Sequence, residues 1–310
     1  MKNKTTALLE ILLANAFWGA GFFATIWALK DLSPAAVVFY RFFVAGVASI
    51  LLFLFAQYFF YKAFNLVTAL RSIFTSIKLS VPAGLSLGAT MLLQTWGLLT
   101  TSAGMSAFIT VLYVVITPFL EILFFKRKLK FSHWLAVVIS LFGISLMTNV
   151  ATMGFSTGDL LTLGCAFTAA LHIIYIGKYA QNKNLPKGPG HLFLANAGQA
   201  IIASLMTLPL ILLPGSWNLM TLGQEAFIGM MLLTFGSSLI AFYLQLRAQR
   251  DINSSEAAVL YLLESPFSAI YGFFILGEIL NSTQLVGAAL IMLGCLVAIQ
   301  GHKFVARRAR

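Results

Sequence analysis

The apolar run SSEAAVLYLLESPFSAIYGFFILGE (254–278) carries a carboxylate, Glu264, near its middle and a proline, Pro266, two residues later. A charge in hydrocarbon costs roughly 2.5–3.5 kcal/mol and marks a functional site by default. Proline frees a backbone carbonyl, so the segment is expected to pack on protein or line a cavity. Glu264 suits two chemistries: pairing with a cationic amine, or exchanging a proton as its surroundings change. A structural pair with a cation from another helix is the plainer alternative.

Arg41 is a candidate for that cation. It lies seven residues into the apolar run at 34–56, about 10 Å deep at 1.5 Å per residue. A guanidinium there can clamp a carboxylate bidentately, serve as counter-ion to Glu264, or reach the interface along its own stem. His172 falls mid-run at 159–179, on one helical face with Thr168 and Tyr175; it is a titratable candidate whose competing role is hydrogen-bonded packing. Ser106, Thr110, Tyr113, Thr117 and Glu121 recur at three- and four-residue spacing. Such a polar stripe on an apolar helix faces protein or water, and Glu121, near its end, is expected to pair with Lys126 or Arg127. Asn15, Trp18, Gln94, Tyr243 and Gln245 are further polar or aromatic candidates, with interhelical hydrogen bonding or interfacial anchoring as the alternative.

Apolar runs must hold these groups. The chain has 310 residues, 60% hydrophobic and 9% charged, with mean hydropathy +0.92. A soluble domain has about 45–50% apolar and about 25% charged residues, so an all-α integral membrane protein is expected. The net charge of +11 is spread between apolar runs rather than gathered on a face, which reads as a topology signal and not as a nucleic-acid surface. Cys165 and Cys295 fall within apolar runs as packing residues, without metal-ligand spacing or an implied disulfide. No cofactor is expected. The two N-terminal lysines and the run after them read as an uncleaved first span.

About twenty apolar residues cross the hydrocarbon core. That ruler predicts ten spans, at 7–28, 34–56, 79–99, 104–125, 132–149, 159–179, 191–213, 225–247, 255–276 and 282–301. The segment 62–78 reads equally as a surface helix or a basic loop, and Gly84 and Gly88 fit a close-packing motif. Of the 20 Lys and Arg residues, all but Lys30 and Arg41 fall on one side of this topology. The expected orientation therefore has both termini in the cytoplasm.

The run with Glu264 also has an echo. SAFITVLYVVITPF (106–119) lies on SSEAAVLYLLESPF (254–267), matching Tyr113 with Tyr261, Thr117 with Ser265 and Pro118 with Pro266, while Glu264 meets Ile116. LAVVISLFG (135–143) likewise answers VGAALIMLG (286–294). The expected units are 1–149 and 158–310, each with five spans. An odd number makes the second copy enter from the opposite face, giving two inverted five-helix repeats with a site near the midplane. Tyr113, Thr117, Tyr261 and Ser265 then suit paired walls of a cavity.

At these residues the chain resembles the EamA-type branch of the drug/metabolite transporter superfamily. The likeness runs through Trp18-Gly19, Arg41-Phe42, TSAGMSAFITVLYVVITP (101–118), KRKLKFSHWLAVVISLFG (126–143), GDLLTLGCAFTAALHIIY (158–175), LLESP (262–266), LGE (276–278) and VGAALIMLG (286–294). Phe125-Lys126-Arg127 stands where the first half would carry LGE. The resemblance implies a ten-helix transporter of the cytoplasmic membrane with a central cavity for a small-molecule substrate, exporting amino acids or related amphipathic compounds. The bilayer is its other partner; no GxxxxGK[ST] loop and no ATPase subunit is implied. A sensor or assembly protein, or an intramembrane enzyme, are the rival readings; the second lacks HExxH or GxSxG.

Overall fold

The computed structural model describes residues 4–60, 65–101, 103–126, 129–148, 156–182, 190–212, 222–276 and 281–308. Arg127 and Lys128, Lys183 and Lys187, and the last two residues of LGE lie outside them. All regular elements among the described residues are helices: α1 (Lys4–Ala28), α2 (Pro34–Phe60), α3 (Leu66–Leu79), α4 (Val81–Gly97), α5 (Ala103–Thr110), α6 (Tyr113–Phe125), α7 (Phe131–Thr148), α8 (Thr157–Ala180), α9 (His191–Ile211), α10 (Gln224–Met231), a π-helical segment (Leu232–Ala241), α11 (Phe242–Ala248), α12 (Ser254–Tyr261), α13 (Glu264–Leu276) and α14 (Ser282–Arg308).

Among the described residues, seven helical stretches, Gln224–Ala248 and Ser254–Ile275 each counted as one, are long and apolar enough to cross a membrane, and the pair α3–α4, bent by 58°, makes up to eight. The stretches Phe108–Phe124 and Phe131–Leu146 are shorter, so these two criteria stop short of the ten spans expected from hydropathy. The surface is inverted relative to a water-soluble protein. Leu51, Phe55, Phe119, Phe142 and Phe274 are exposed, while Asn15, Ser49, Thr162, Asn196, Gln199 and Ser238 are fully enclosed. A chain with apolar surface outside and bonded polar groups inside is solvated by lipid. It is a multi-pass membrane protein.

Residues 66–78 are helical rather than a loop. Asn65 caps α3 by accepting from the Thr68 amide at 3.1 Å. Ala69, Ile73 and Ser76 are buried on one side, and Ser76 bonds Tyr179 at the end of α8 at 2.6 Å. Val67 and Phe74 are exposed, as an interfacial helix requires. Gly84 and Gly88 do pack closely, against Ile202 and Ala203 of α9. At the start of α8 a capping box between Ser156 and Asp159 satisfies the first amides.

The expected fourth and ninth spans are each divided. Around Leu112 the bonds Leu112 N to Ile109 O and Val114 N to Val111 O replace the α pattern, and around Leu262 so do Leu262 N to Val259 O and Leu263 N to Leu260 O. These i−3 bonds tighten the chain by a local 3₁₀ turn. The second break makes Glu264 the first residue of α13 and places Pro266 in its first turn, where a missing N–H costs least.

Packing runs between the halves. The pairs α2–α9, α7–α14, α4–α8, α4–α9, α6–α8 and α6–α12 are in contact, and α1 packs on the π-helical segment, α10, α11 and α13. In the sequence repeat, α1 corresponds to α8, α2 to α9, α4 to the helix Gln224–Ala248, α5–α6 to α12–α13, and α7 to α14. Under that exchange α4–α8 becomes the Gln224–Ala248 helix against α1, and α6–α8 becomes α13–α1. The pairs α2–α9 and α7–α14 map onto themselves. Such reciprocity belongs to an isologous, two-fold arrangement.

The α7–α14 seam shows it in atoms. A Cβ at Gly143 would lie 2.7 Å from Gly287 O and 2.9 Å from Ile291 N; one at Gly294 would lie 2.9 Å from Ala136 O and clash with Ser140. Gly143 matches Gly294, and Ala136 and Ser140 match Gly287 and Ile291, in the repeat. Replacing glycine in a helix by alanine gains about 0.5–1 kcal/mol of propensity, but a clash with backbone costs roughly 1–3 kcal/mol. Gly143→Ala is therefore expected to lower the midpoint of thermal unfolding in detergent. Gly164→Ala, whose Cβ would meet only the end of the Leu93 side chain, at 3.3 and 4.0 Å, is expected to leave it unchanged or raise it.

Candidate functional site

A small cavity, partly open to solvent, lies between α1, α2, α4, the π-helical segment, α11 and α13. α1 presents Trp18, Gly21, Phe22 and Thr25, spaced so that one helical face forms the wall. α4 presents Met91 and Gln94, and Leu98 at its C-terminal end continues the same face. Arg41 comes from α2, Ser237 from the π-helical segment, Phe242 from α11 and Glu264 from α13.

Close approach of α1 to α13 positions Glu264. A Cβ at Gly19 would lie 2.8 Å from Phe267 Cβ and 3.0 Å from Glu264 O, so only glycine admits this spacing. One turn earlier, Asn15 donates through Nδ2 to Ile11 O at 2.8 Å and to Leu260 O at 3.0 Å. That second bond ties α1 to the α12–α13 break just before Glu264. The carboxylate then sits at the N-terminus of α13, where the helix dipole favours a negative charge.

Arg41 is 6% exposed and does not reach the outer interface. Its Nε donates to Ser238 Oγ at 2.9 Å, and its guanidinium carbon lies 4.9 Å from the Phe42 ring centroid. Arg41 and Glu264 act on each other electrostatically, yet they form no ion pair among those described. Two opposite charges thus face one cavity with bonding capacity left over.

An aromatic layer closes the cavity on the side towards Lys4. Trp18 meets Phe242 and Tyr261 edge-on, both with centroids at 5.3 Å. Trp18 Nε1 is buried with no hydrogen-bond partner among the described residues, so a donor faces this region unsatisfied. Beyond the aromatics lies an ionic layer. Arg247 bonds Glu10 at 2.7 Å, Lys4 bonds Glu256 at 2.7 Å, and Ser255 donates to Glu121. Glu121, expected to pair with Lys126 or Arg127, is 2% exposed and meets α12 through Ser255; Arg127 lies outside the described residues. At the other end Lys30 pairs with Glu225, both half-exposed, and such surface pairs contribute little.

The cavity therefore unites Trp18, Arg41, Gln94 and Glu264 from the sequence-derived candidates. Thr110 joins it at one remove, accepting from Gln94 Nε2 at 3.4 Å. Tyr261 and Asn15 support it from below. Tyr113, Thr117 and Ser265 are buried without lining it. Tyr175 packs with Tyr179, Ile176 and Leu246. Tyr243 stacks on Phe193 at 4.3 Å and 10°, away from the cavity, and His172 bonds Gln199 at 2.8 Å. Phe22, Thr25, Met91, Leu98, Ser237 and Phe242 were missed. The first four are legible in hindsight, at three- or four-residue steps from Trp18 and Gln94; the last two depend on tertiary packing.

The family model described as the EamA-like transporter family matches residues 5–149 and again 156–300. An "Uncharacterized transporter" of Archaeoglobus fulgidus is 26% identical over 93% of this chain and 84% of its own length. "Uncharacterized transporter YwfM" of Bacillus subtilis is 28% identical over 59% of this chain and 60% of its own. A solved structure called "Crystal structure of protein" superposes with TM-score 0.74 over 99% of both chains at 16% identity, which shows a shared fold.

Removing one member of a buried charge pair leaves the other uncompensated, whereas removing both does not. Arg41→Gln and Glu264→Gln are each expected to lower thermal stability, and the double variant to lose less than the sum by about 0.5–3 kcal/mol. Additive losses in a double-mutant cycle would show that the two charges do not share one environment.

Proposed function

The chain belongs to the EamA-like transporter family, and from that premise we propose a secondary transporter that exports amino acids or related amphipathic metabolites through the cavity bounded by Arg41 and Glu264. One observation carries this reading: opposite charges line one small cavity without an ion pair between them among the described residues. A zwitterion matches that pattern, its carboxylate to the Arg41 guanidinium and its ammonium to Glu264. Phe22, Met91, Leu98 and Phe242 offer apolar surface for a side chain, and Gln94 and Thr25 offer neutral hydrogen bonds.

Transport by alternating access needs a site that opens to one side at a time. The cavity occupies the half of the bundle beyond Trp18, while the Lys4 end is held by the aromatic layer and the pairs Arg247–Glu10 and Lys4–Glu256. Breaking that end while the other closes is the motion proposed. The reciprocal helix pairs support two inverted repeats, 1–149 and 158–310, rocking against each other. In this reading the divided segments complete ten crossings, and the one-sided Lys and Arg distribution puts both termini on the cytoplasmic side of the cytoplasmic membrane.

Glu264 is the proposed proton-coupling group. In proteoliposomes, wild-type flux of a labelled amino acid is expected to vary with pH, and Glu264→Gln to lose that dependence along with most of the flux. Retention of the wild-type pH profile by Glu264→Gln would remove Glu264 from that role. An absence of any solute exchange by the wild type would favour a sensor or assembly protein.

A further inference from the structure

A hydrogen-bonded chain of enclosed side chains runs from α8 to the cavity wall. His172 Nε2 lies 2.8 Å from Gln199 Oε1, and Gln199 Nε2 donates to Asn196 Oδ1 at 3.0 Å. Asn196 Nδ2 approaches Ser49 Oγ on α2 at 3.1 Å and the carbonyls of Ser238 and Leu239 at 3.3 Å each. Ser238 Oγ in turn receives Arg41 Nε at 2.9 Å. Asn196, Gln199, Ser49 and Ser238 are all 0% exposed.

The directions are mutually consistent. Because the Gln199 amide nitrogen gives to Asn196, its oxygen is left to accept, so His172 carries its proton on Nε2. The Asn196 amide nitrogen then gives to α2 and to the π-helical segment at once. π-Helical insertions concentrate at functional sites, and here the segment is a junction. Ser237 donates to Phe17 O on α1 at 3.1 Å, while Ser238 holds Arg41 from α2 and is itself held by Asn196 from α9. Free arginine loses about 2 kcal/mol of rotamer entropy when fixed; a site built in advance bears that cost before a ligand arrives.

We propose that Asn196, Gln199 and Ser238 are positioning residues for Arg41: they fix the π-helical segment and through it aim the guanidinium into the cavity. This rests on the cavity being the substrate site. His172 ends the chain edge-on to Phe242, with centroids 5.6 Å apart, so the same chain also braces the aromatic floor. Polar groups in an enclosed chain act together, since each loss strands its neighbour.

The test separates positioning from binding. Arginine Nε–H exchange is followed by NMR in nanodiscs with ¹⁵N-arginine protein, the Arg41 signal being assigned by its loss in Arg41→Lys. In the wild type this proton is expected to exchange slowly. In Asn196→Leu and Ser238→Ala its exchange is expected to quicken at least tenfold, and Ser238→Thr, which keeps the hydroxyl, to restore it. Leucine binding is expected to weaken about tenfold in Ser238→Ala, with leucinamide binding unchanged, and Arg41→Gln with Ser238→Ala to be no weaker than Arg41→Gln alone. Unaltered Arg41 exchange in both Asn196→Leu and Ser238→Ala overturns the positioning role. Quickened exchange with no effect of Arg41→Gln on leucine binding would uphold it and overturn the substrate site instead. If Asn196→Leu fails to fold, Ser238→Ala and Ser238→Thr decide alone.

Discussion

Holding Arg41 and Glu264 inside an apolar helical bundle is the constraint that the rest of the structure answers. Neither charge is tolerable facing lipid, and neither is neutralised by contact with the other. Arg41 is held by Ser238 and lies beside the Phe42 ring. Glu264 is placed at a helix start, against an α1 backbone that only Gly19 allows so near. The cavity between them follows from those two supports, because each charge is pinned to its own wall.

The supports reach far from the cavity. Asn15 fastens α1 to the break before Glu264, and the enclosed amides of α9 fasten the segment behind Arg41. Farther out, the α7–α14 seam joins the halves through reciprocal contacts of small residues. In lipid there is no hydrophobic drive between helices, so such close contacts and internal hydrogen bonds supply the cohesion. The ionic layer at the Lys4 end uses longer side chains reaching water, which is the chemistry of a contact that can open.

Much of this was legible in the sequence. Hydropathy located the helices because the bilayer demands continuous apolar runs, and Glu264, Arg41, Trp18 and Gln94 stood out as costly or amphipathic groups within them. The repeat pointed to two halves, and the pairs α4–α8 and α6–α8 each have a counterpart under its exchange. What stayed hidden depends on neighbours distant in sequence. Periodicity does not reveal that Tyr243 turns to Phe193, nor that Glu121 turns to Ser255. The 3₁₀ turns at Leu112 and Leu262 and the π-helical segment are local departures from regular hydrogen bonding that apolar patterning cannot register. Asn196 and Gln199 carry no motif at all; their meaning comes from Ser238 and His172 on other helices.

The most direct measurement is binding to the wild-type protein in nanodiscs, by titration calorimetry, of apolar amino acids beside their amides and their N-acetyl derivatives. The amide keeps only the ammonium, and the N-acetyl form only the carboxylate. If Arg41 and Glu264 each bind one end of the ligand, an intact amino acid binds at least tenfold more tightly than either derivative, a difference of about 1.4 kcal/mol. Equal affinity for the amino acid and either derivative would contradict a cavity built around two separate charges.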